Sequence, residues 1–162
     1  MEVSAEQPVE TYSVHYGFSQ HFDFPPEEAF RWCTDYAPGD VELMGEKGRR
    51  KVKRLNEDTF VLTDKYKTEE GDVVKRRLVR VYPERLSWTN TRVSKDGRHS
   101  QFLYQVVAEE RGGSRLDFTG SQIFYGKKLG KSKLDAMAKQ LATEDAAAWR
   151  NLAKAMAKDL SE

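Results

Sequence analysis

Apolar side chains recur at three- and four-residue steps over the last stretch of the chain. They are Leu134, Met137, Ala138, Leu141, Ala148, Trp149, Leu152, Met156 and Leu160, with Asp145 on the same stripe. This spacing predicts one face of an α-helix. Lys133, Lys139, Arg150, Lys154 and Lys158 fall mostly on the other face. Alanines at 142, 146–148, 153, 155 and 157 favour the helical state. From Leu134 to Leu160 such a helix runs about 40 Å, so it needs a broad apolar partner from the rest of the chain.

The earlier pattern supplies one. From Tyr12 to Phe24 the chain alternates, with Val14, Tyr16, Phe18, Gln20 and Phe22 on one side. That is a half-buried strand. Pro25 and Pro26 end it, and Glu27 and Glu28 suit a helix N-terminus, so EEAFRWCTDY reads as a short helix burying Ala29, Phe30 and Cys33. Pro38 and Gly39 break that helix, and DVELMG reads as a second helical turn. From Lys47 onward the period is two. Six runs follow, separated by Asn56-Glu57-Asp58, Glu70-Gly71-Asp72, Pro83-Glu84, Asp96-Gly97 and Gly112-Gly113. Such punctuation predicts an antiparallel meander. The fold class is therefore α+β: a curved seven-stranded antiparallel sheet, two short helices after strand 1, and a long C-terminal helix over the concave face. Residues 1–11 read as a polar lead-in and residues 12–162 as a single domain.

Three segments resemble the START/Bet v 1-like superfamily, the helix-grip fold that includes polyketide cyclase-like and lipid-transfer proteins. HFDFPPEEAFRWCTDY is similar to its opening strand, proline-marked turn and short helix. VYPERLSWTN is similar to its strand, Pro turn and strand. The C-terminal amphipathic stretch is similar to its gripping helix. The resemblance covers about residues 12–160 and rests on element order. It implies an apolar ligand held between sheet and helix, in a superfamily of enzymes, carriers, and co-chaperone or regulatory modules. No catalytic residue is carried over.

Strand phase selects the side chains that face the helix. Phe60, Leu62, Leu78, Trp88, Phe102, Tyr104 and Phe118 share a parity with Asp64, Tyr66, Arg76, Arg80, Asn90 and Gln122. With Leu141, Asp145 and Trp149 from the helix, these residues (Tyr66 and Arg80 aside) are the expected lining of a ligand cavity. It would be a largely apolar pocket with a few convergent polar groups. A buried unpaired charge is costly, so an inward Asp64 should pair with Arg76 or a ligand, and Asp145 either marks the edge of the apolar stripe or reaches a polar group inside such as Arg76 or Arg80. The alternative is that the strand ends are wet. Trp88 and Trp149 read as sheet-to-helix packing or as stacking platforms for a ligand.

Composition changes this picture little. The chain has 162 residues, 38% hydrophobic and 33% charged, with 11% aromatics that argue for a packed core. Net charge is +1, but residues 1–46 hold ten acidic residues against Arg31 alone. With one cysteine, Cys33, no intrachain disulfide or cysteine-based zinc site can form. No signal peptide or membrane-length apolar run is present, so a cytoplasmic protein is expected, monomer or homodimer, without stable membrane insertion.

Other chemistry is weakly signalled. GKKLGKSK at 126–133 lies one residue short of phosphate-loop spacing and follows antiparallel strands. Its lysines around a helix start could hold an anionic head group, or simply be solvated. His15, His21 and His99 lack metal-ligand spacing, so neither metal nor cofactor is expected. The basic runs at 48–54 and 75–80 lack an aromatic nucleic-acid motif, and no nucleic-acid partner is expected. The reading adopted is a carrier, sensor or transport protein for a hydrophobic small molecule or lipid. The alternatives are a cyclase, aromatase or hydrolase using Asp64, Tyr66, Asn90 and Tyr104, and a regulatory interaction module. No His–carboxylate pair lies on the inward parity, which weighs against the enzyme.

Overall fold

The computed structural model describes residues 9–36, 40–43, 47–93 and 98–161. The first eight residues, the Pro38-Gly39 break, the end of DVELMG and the Asp96-Gly97 turn lie outside them. The chain runs β1 (Thr11–Phe22), α1 (Pro26–Cys33), α2 (Asp40–Leu43), β2 (Gly48–Asn56), β3 (Thr59–Thr68), β4 (Gly71–Tyr82), a 3-10 turn (Pro83–Arg85), β5 (Ser87–Val93), β6 (Arg98–Ala108), β7 (Ser114–Tyr125) and α3 (Lys131–Leu160). All seven strands form one antiparallel sheet in the order β1-β7-β6-β5-β4-β3-β2. β1 pairs with the last strand, so α1 and α2 carry the chain from one edge of the sheet to the other.

Alternation decides which face each strand buries. On β1, Val14, Tyr16 and Phe22 are buried. On β3, Phe60, Leu62, Asp64 and Tyr66 are buried. The inner face carries a packed aromatic cluster. Trp88 stacks on Tyr104 at 4.9 Å with the rings nearly parallel, and Tyr104 meets Phe118 edge-on at 5.1 Å. Phe118 in turn meets Phe18 and Phe102. Gly120, between Phe102 and Tyr16 in the ladder, leaves room for these rings. A Cβ there would stand 2.9 Å from Phe118 and 3.1 Å from Phe102.

One strand departs from the expected phase. On β4, Val79 and Val81 are buried, whereas Leu78 is 45% exposed and Arg76 and Arg80 face solvent. The hairpin explains it. A two-residue loop sets Thr68 opposite Gly71, which places Phe60 opposite Val79, Leu62 opposite Arg77 and Asp64 opposite Lys75. Directly opposed residues share a face. Even-numbered residues of β3 therefore face inward together with odd-numbered residues of β4. Arg76 and Leu78 belong to the outer face, and Arg77 takes the inward place expected of Arg76.

α1 buries Ala29, Phe30 and Cys33, as its pattern requires, and sets Phe30 against Trp88 at 5.9 Å. α3 grips the sheet unevenly. Leu152 and Met156 are buried, while Leu141, Ala142 and Trp149 are only half-buried. Trp149 reaches Phe22, Trp88 and Tyr104, and Trp32 Nε1 donates to Asp159 at 2.9 Å. The C-terminal half of α3 thus closes on the aromatic core. Along its middle turns a cleft remains between α3 and the sheet.

Candidate functional site

That cleft is a cavity of about 520 Å³ between the inner face of the sheet and residues 141–151 of α3. The ladder builds its floor in rows across the strands. One row runs Val81, Trp88, Tyr104, Phe118 and Phe18. The next runs Phe60, Val79, Asn90, Phe102, Gly120 and Tyr16. The third runs Leu62, Arg77, Arg92, Ser100, Gln122 and Val14. The inner face therefore grades from aromatic to polar within three rows. Phe102, Ser100, Gln122, Arg77 and Arg92 line the cavity from the sheet, with Tyr66, Val73, Lys75 and Arg98; Leu141, Glu144, Asp145, Ala147, Ala148 and Asn151 line it from α3.

A buried charge cluster forms one wall. Asp64 is fully buried. Arg50 donates to both its oxygens at 2.8 and 2.9 Å, and Arg77 Nη2 donates to Oδ2 at 2.6 Å. The Tyr66 hydroxyl adds a bond at 3.3 Å. Burial alone would raise the Asp64 carboxyl, but Arg50 and Arg77 outweigh it and hold the group below its ordinary value. Asp64 is thus a clamped counter-ion and a weak base. Arg50 also lies 3.4 Å from Asp40. Burial, with the charge of Asp35, pushes Asp40 up to about 6.

This last shift sets the direction of a pH effect. Between its ordinary value of 3.8 and about 6, folded Asp40 still binds the proton that the unfolded chain has lost. Its ionisation therefore costs stability as pH rises through that window. Asp40→Asn removes the cost. The melting temperature of the wild type relative to this variant should fall between about pH 4 and about pH 7. A difference that stays flat in thermal scans across that range would show that Asp40 carries no such penalty.

A second polar line crosses the sheet to the helix. Arg98 Nε donates to Gln122 Oε1 at 2.8 Å, Gln122 Nε2 donates to the Tyr16 hydroxyl at 3.1 Å, and that hydroxyl donates to Asp145 Oδ2 at 2.6 Å. Asp145 therefore reaches Tyr16, not Arg76 or Arg80. Burial raises the Asp145 carboxyl above its ordinary value, with Glu144 adding to the shift and the Tyr16 bond opposing it. Burial also raises the Tyr16 hydroxyl, and ionised Asp145 adds to that. The chain pins the middle of α3 to β1, β7 and β6.

The expected lining residues separate into groups. Phe102, Gln122, Leu141 and Asp145 do face the cavity. Phe60, Leu62, Trp88, Tyr104 and Phe118 lie in the core beneath it, with Trp149 packed against them. Asn90 is 5% exposed, donates to the Tyr104 hydroxyl at 3.5 Å, and its Oδ1 meets no donor among the described residues. Burial lifts the Tyr104 hydroxyl well above its ordinary value. Arg76 and Leu78 lie on the outer face. The expected lining omitted Arg50, Arg77 and Arg92; phase put Arg77 outward, while Arg92 shares the inward parity of Trp88 and Asn90. The TEEG turn, read for register, would have found Arg77.

The remaining candidates stay apart from the cleft. Cys33 is buried and its thiol is raised by that burial, so it is unreactive packing. His21 bonds Asp23 and Glu109, and His99 bonds Tyr125, in exposed pairs. Among the described residues no group of three His, Cys, Asp or Glu side chains is placed to hold a metal. No described helix is long and apolar enough to cross a membrane.

No protein-family model matches the sequence, and no curated protein matches it. Solved structures do share its fold. A protein of unknown function from Staphylococcus aureus aligns with a TM-score of 0.73 at 11% identity, over 94% of this chain and 99% of its own. Ara h 8.0201 aligns at 0.66 and 12% identity, over 87% and 99%. The Zhui aromatase/cyclase from Streptomyces sp. R1128 aligns at 0.64 and 8% identity, over 93% and 96%. The chain has the helix-grip fold of the Bet v 1-like/START superfamily.

Proposed function

We propose that the protein binds a largely apolar small molecule in the cleft between the sheet and α3. The observation that carries this reading is the cavity of about 520 Å³, walled by Phe102, Leu141, Ala147 and Ala148 beside polar groups. A mixed lining of this kind suits a ligand with an apolar body and a polar end. The helix-grip fold supports the same place for a ligand. A carrier or sensor is favoured over an enzyme. Asp64 is neutralised by two guanidiniums, and Tyr104 is held far from ionisation, so two of the acid–base candidates are poor proton-transfer groups.

Titration with the neutral fluorophore N-phenylnaphthylamine tests the reading. Saturable binding is expected, with fluorescence enhancement and a raised melting temperature. Ala148→Trp places an indole in the cleft and should abolish both effects while leaving the fold intact by circular dichroism. Absence of binding, or binding indifferent to Ala148→Trp, would remove the cleft as the ligand site.

A further inference from the structure

We infer that the outer face of β2, β3 and β4 docks the protein on an anionic membrane surface. This face is turned away from α3 and from the cleft, so the inference stands apart from the ligand reading.

The sheet register gathers the charges, because directly opposed residues share a face. Arg49 stands opposite Lys65. Lys51 stands opposite Thr63, which stands opposite Arg76. Lys53 stands opposite Val61, which stands opposite Leu78, and Arg80 follows opposite Thr59. All six basic side chains are exposed. None of them has a carboxylate partner among the described residues. Acidic side chains keep to the strand ends, with Glu57 and Asp58 in one turn and Glu69, Glu70 and Asp72 around the other.

Two ordinary roles of surface charge fit this face poorly. Charge on an edge strand blocks pairing with other sheets, and β2 is an edge. Lys65, Arg76 and Arg80, however, lie on β3 and β4, which are paired on both sides. Solubility is served by interspersed signs, yet this face holds one sign and sets Arg49 against Lys65, an opposition that costs stability. A polyanion offsets that cost. Its kind follows from what lies between the cations. Leu78 and Val74 are 45% and 48% exposed there. The one aromatic ring on this face of the three strands, Tyr82, is half-buried with the Arg80 guanidinium 5.3 Å from its centre. Single-stranded nucleic acid stacks its bases on open rings, which this face lacks. A bilayer instead presents anionic headgroups to cations and an acyl boundary to aliphatic side chains.

Co-sedimentation with phosphatidylcholine vesicles carrying about 30% phosphatidylserine, beside vesicles of phosphatidylcholine alone, tests the surface. Binding is expected to the anionic vesicles only, and it should weaken as added salt screens the charges. Each lysine or arginine at such a surface strengthens binding about fivefold, so Lys51→Gln, Lys65→Gln and Arg76→Gln together should weaken it about a hundredfold. These side chains are exposed, so the melting temperature should hold or rise. Leu78→Ser should weaken vesicle binding by a smaller factor. Lys127→Gln, Lys128→Gln and Lys131→Gln, around the start of α3, should leave it within about twofold. Failure to bind the anionic vesicles would overturn the inference. So would equal binding to both kinds of vesicle, a triple sheet variant that binds like wild type, or a loss that follows the loop lysines instead. Tighter binding to a duplex DNA oligonucleotide, indifferent to Leu78→Ser, would overturn it in favour of a nucleic-acid surface.

Discussion

Asp64→Ala should lower the unfolding free energy by about 3–5 kcal/mol, the usual cost of removing one partner from a buried ion pair. For a domain of this size that is a fall in melting temperature of roughly 10 °C. The reason lies in what remains. Arg50 and Arg77, with side chains 5% and 13% exposed, would keep their charges and lose their shared carboxylate. Replacing both arginines with methionine in the Asp64→Ala background should recover much of the loss, because the penalty belongs to the stranded charges. The pH dependence has a definite sign. Asp64 is held below its ordinary value of 3.8, so its contribution is present above that value and is lost as pH falls below it. An Asp64→Ala variant melting within about 2 °C of wild type at neutral pH would mean that the cluster is far wetter than its geometry.

The same cluster shows where sequence reading succeeds and where it fails. Element order was legible because each element carries its own period. The stripe from Leu134 to Leu160 demands a helix, and the Gly-Gly and Pro-Glu breaks demand turns. The inward parity of β1, β3, β5, β6 and β7 was legible for the same reason: Val14, Trp88 and Leu116 alternate with polar neighbours, and on β3 and β6 the larger rings and leucines (Phe60, Leu62, Phe102, Tyr104) share one parity. β4 was not. In VVKRRLVRVY both parities carry apolar side chains, and both carry arginine. Periodicity cannot rank Leu78 against Val79. Only the pairing with β3 can, and that pairing is fixed by the length of a turn two strand-ends away. A shift of one residue exchanged Arg76 for Arg77 and moved a leucine to the outer face. β2 was harder still. Only the Arg50 side chain among its inward residues reaches Asp64, and nothing in GRRKVKRLN distinguishes it from its neighbours. The partner of Asp145 was missed because Tyr16 is 129 residues away and was read as core.

These misses bear on the cleft, since Lys75 and Arg77, both misplaced by the phase of β4, supply part of its charge. An apolar pocket was expected on the strength of Phe102, Tyr104, Trp88 and Phe118. Three of those rings are committed to one another below the cavity, and only Phe102 lines it. The polar row above them, Arg77 to Gln122, lines the cavity alongside Phe102. The aromatic row and the arginine row lie on the same inner face, two rows apart, so parity alone cannot tell core from cavity lining.

Trp88→Ala should therefore cost stability rather than ligand affinity, by about 3–5 kcal/mol. Trp88 is 2% exposed, stacked on Tyr104, and bordered by Phe30 at 5.9 Å and Trp149 at 6.3 Å. These neighbours come from β6, α1 and α3, so one truncation loosens three elements that cannot all collapse into the space left. Trp149, half-buried at the edge of the same cluster, should cost less when truncated, because solvent already reaches part of its surface. Chemical denaturation of Trp88→Ala, Trp88→Phe and Trp149→Ala measures the order directly. The expected ranking places Trp88→Ala last in stability and Trp88→Phe between it and wild type. If Trp88→Ala lost less than about 1.5 kcal/mol while weakening N-phenylnaphthylamine strongly, Trp88 would be a ligand platform in a slack floor. The cavity would then extend one row deeper than Phe102.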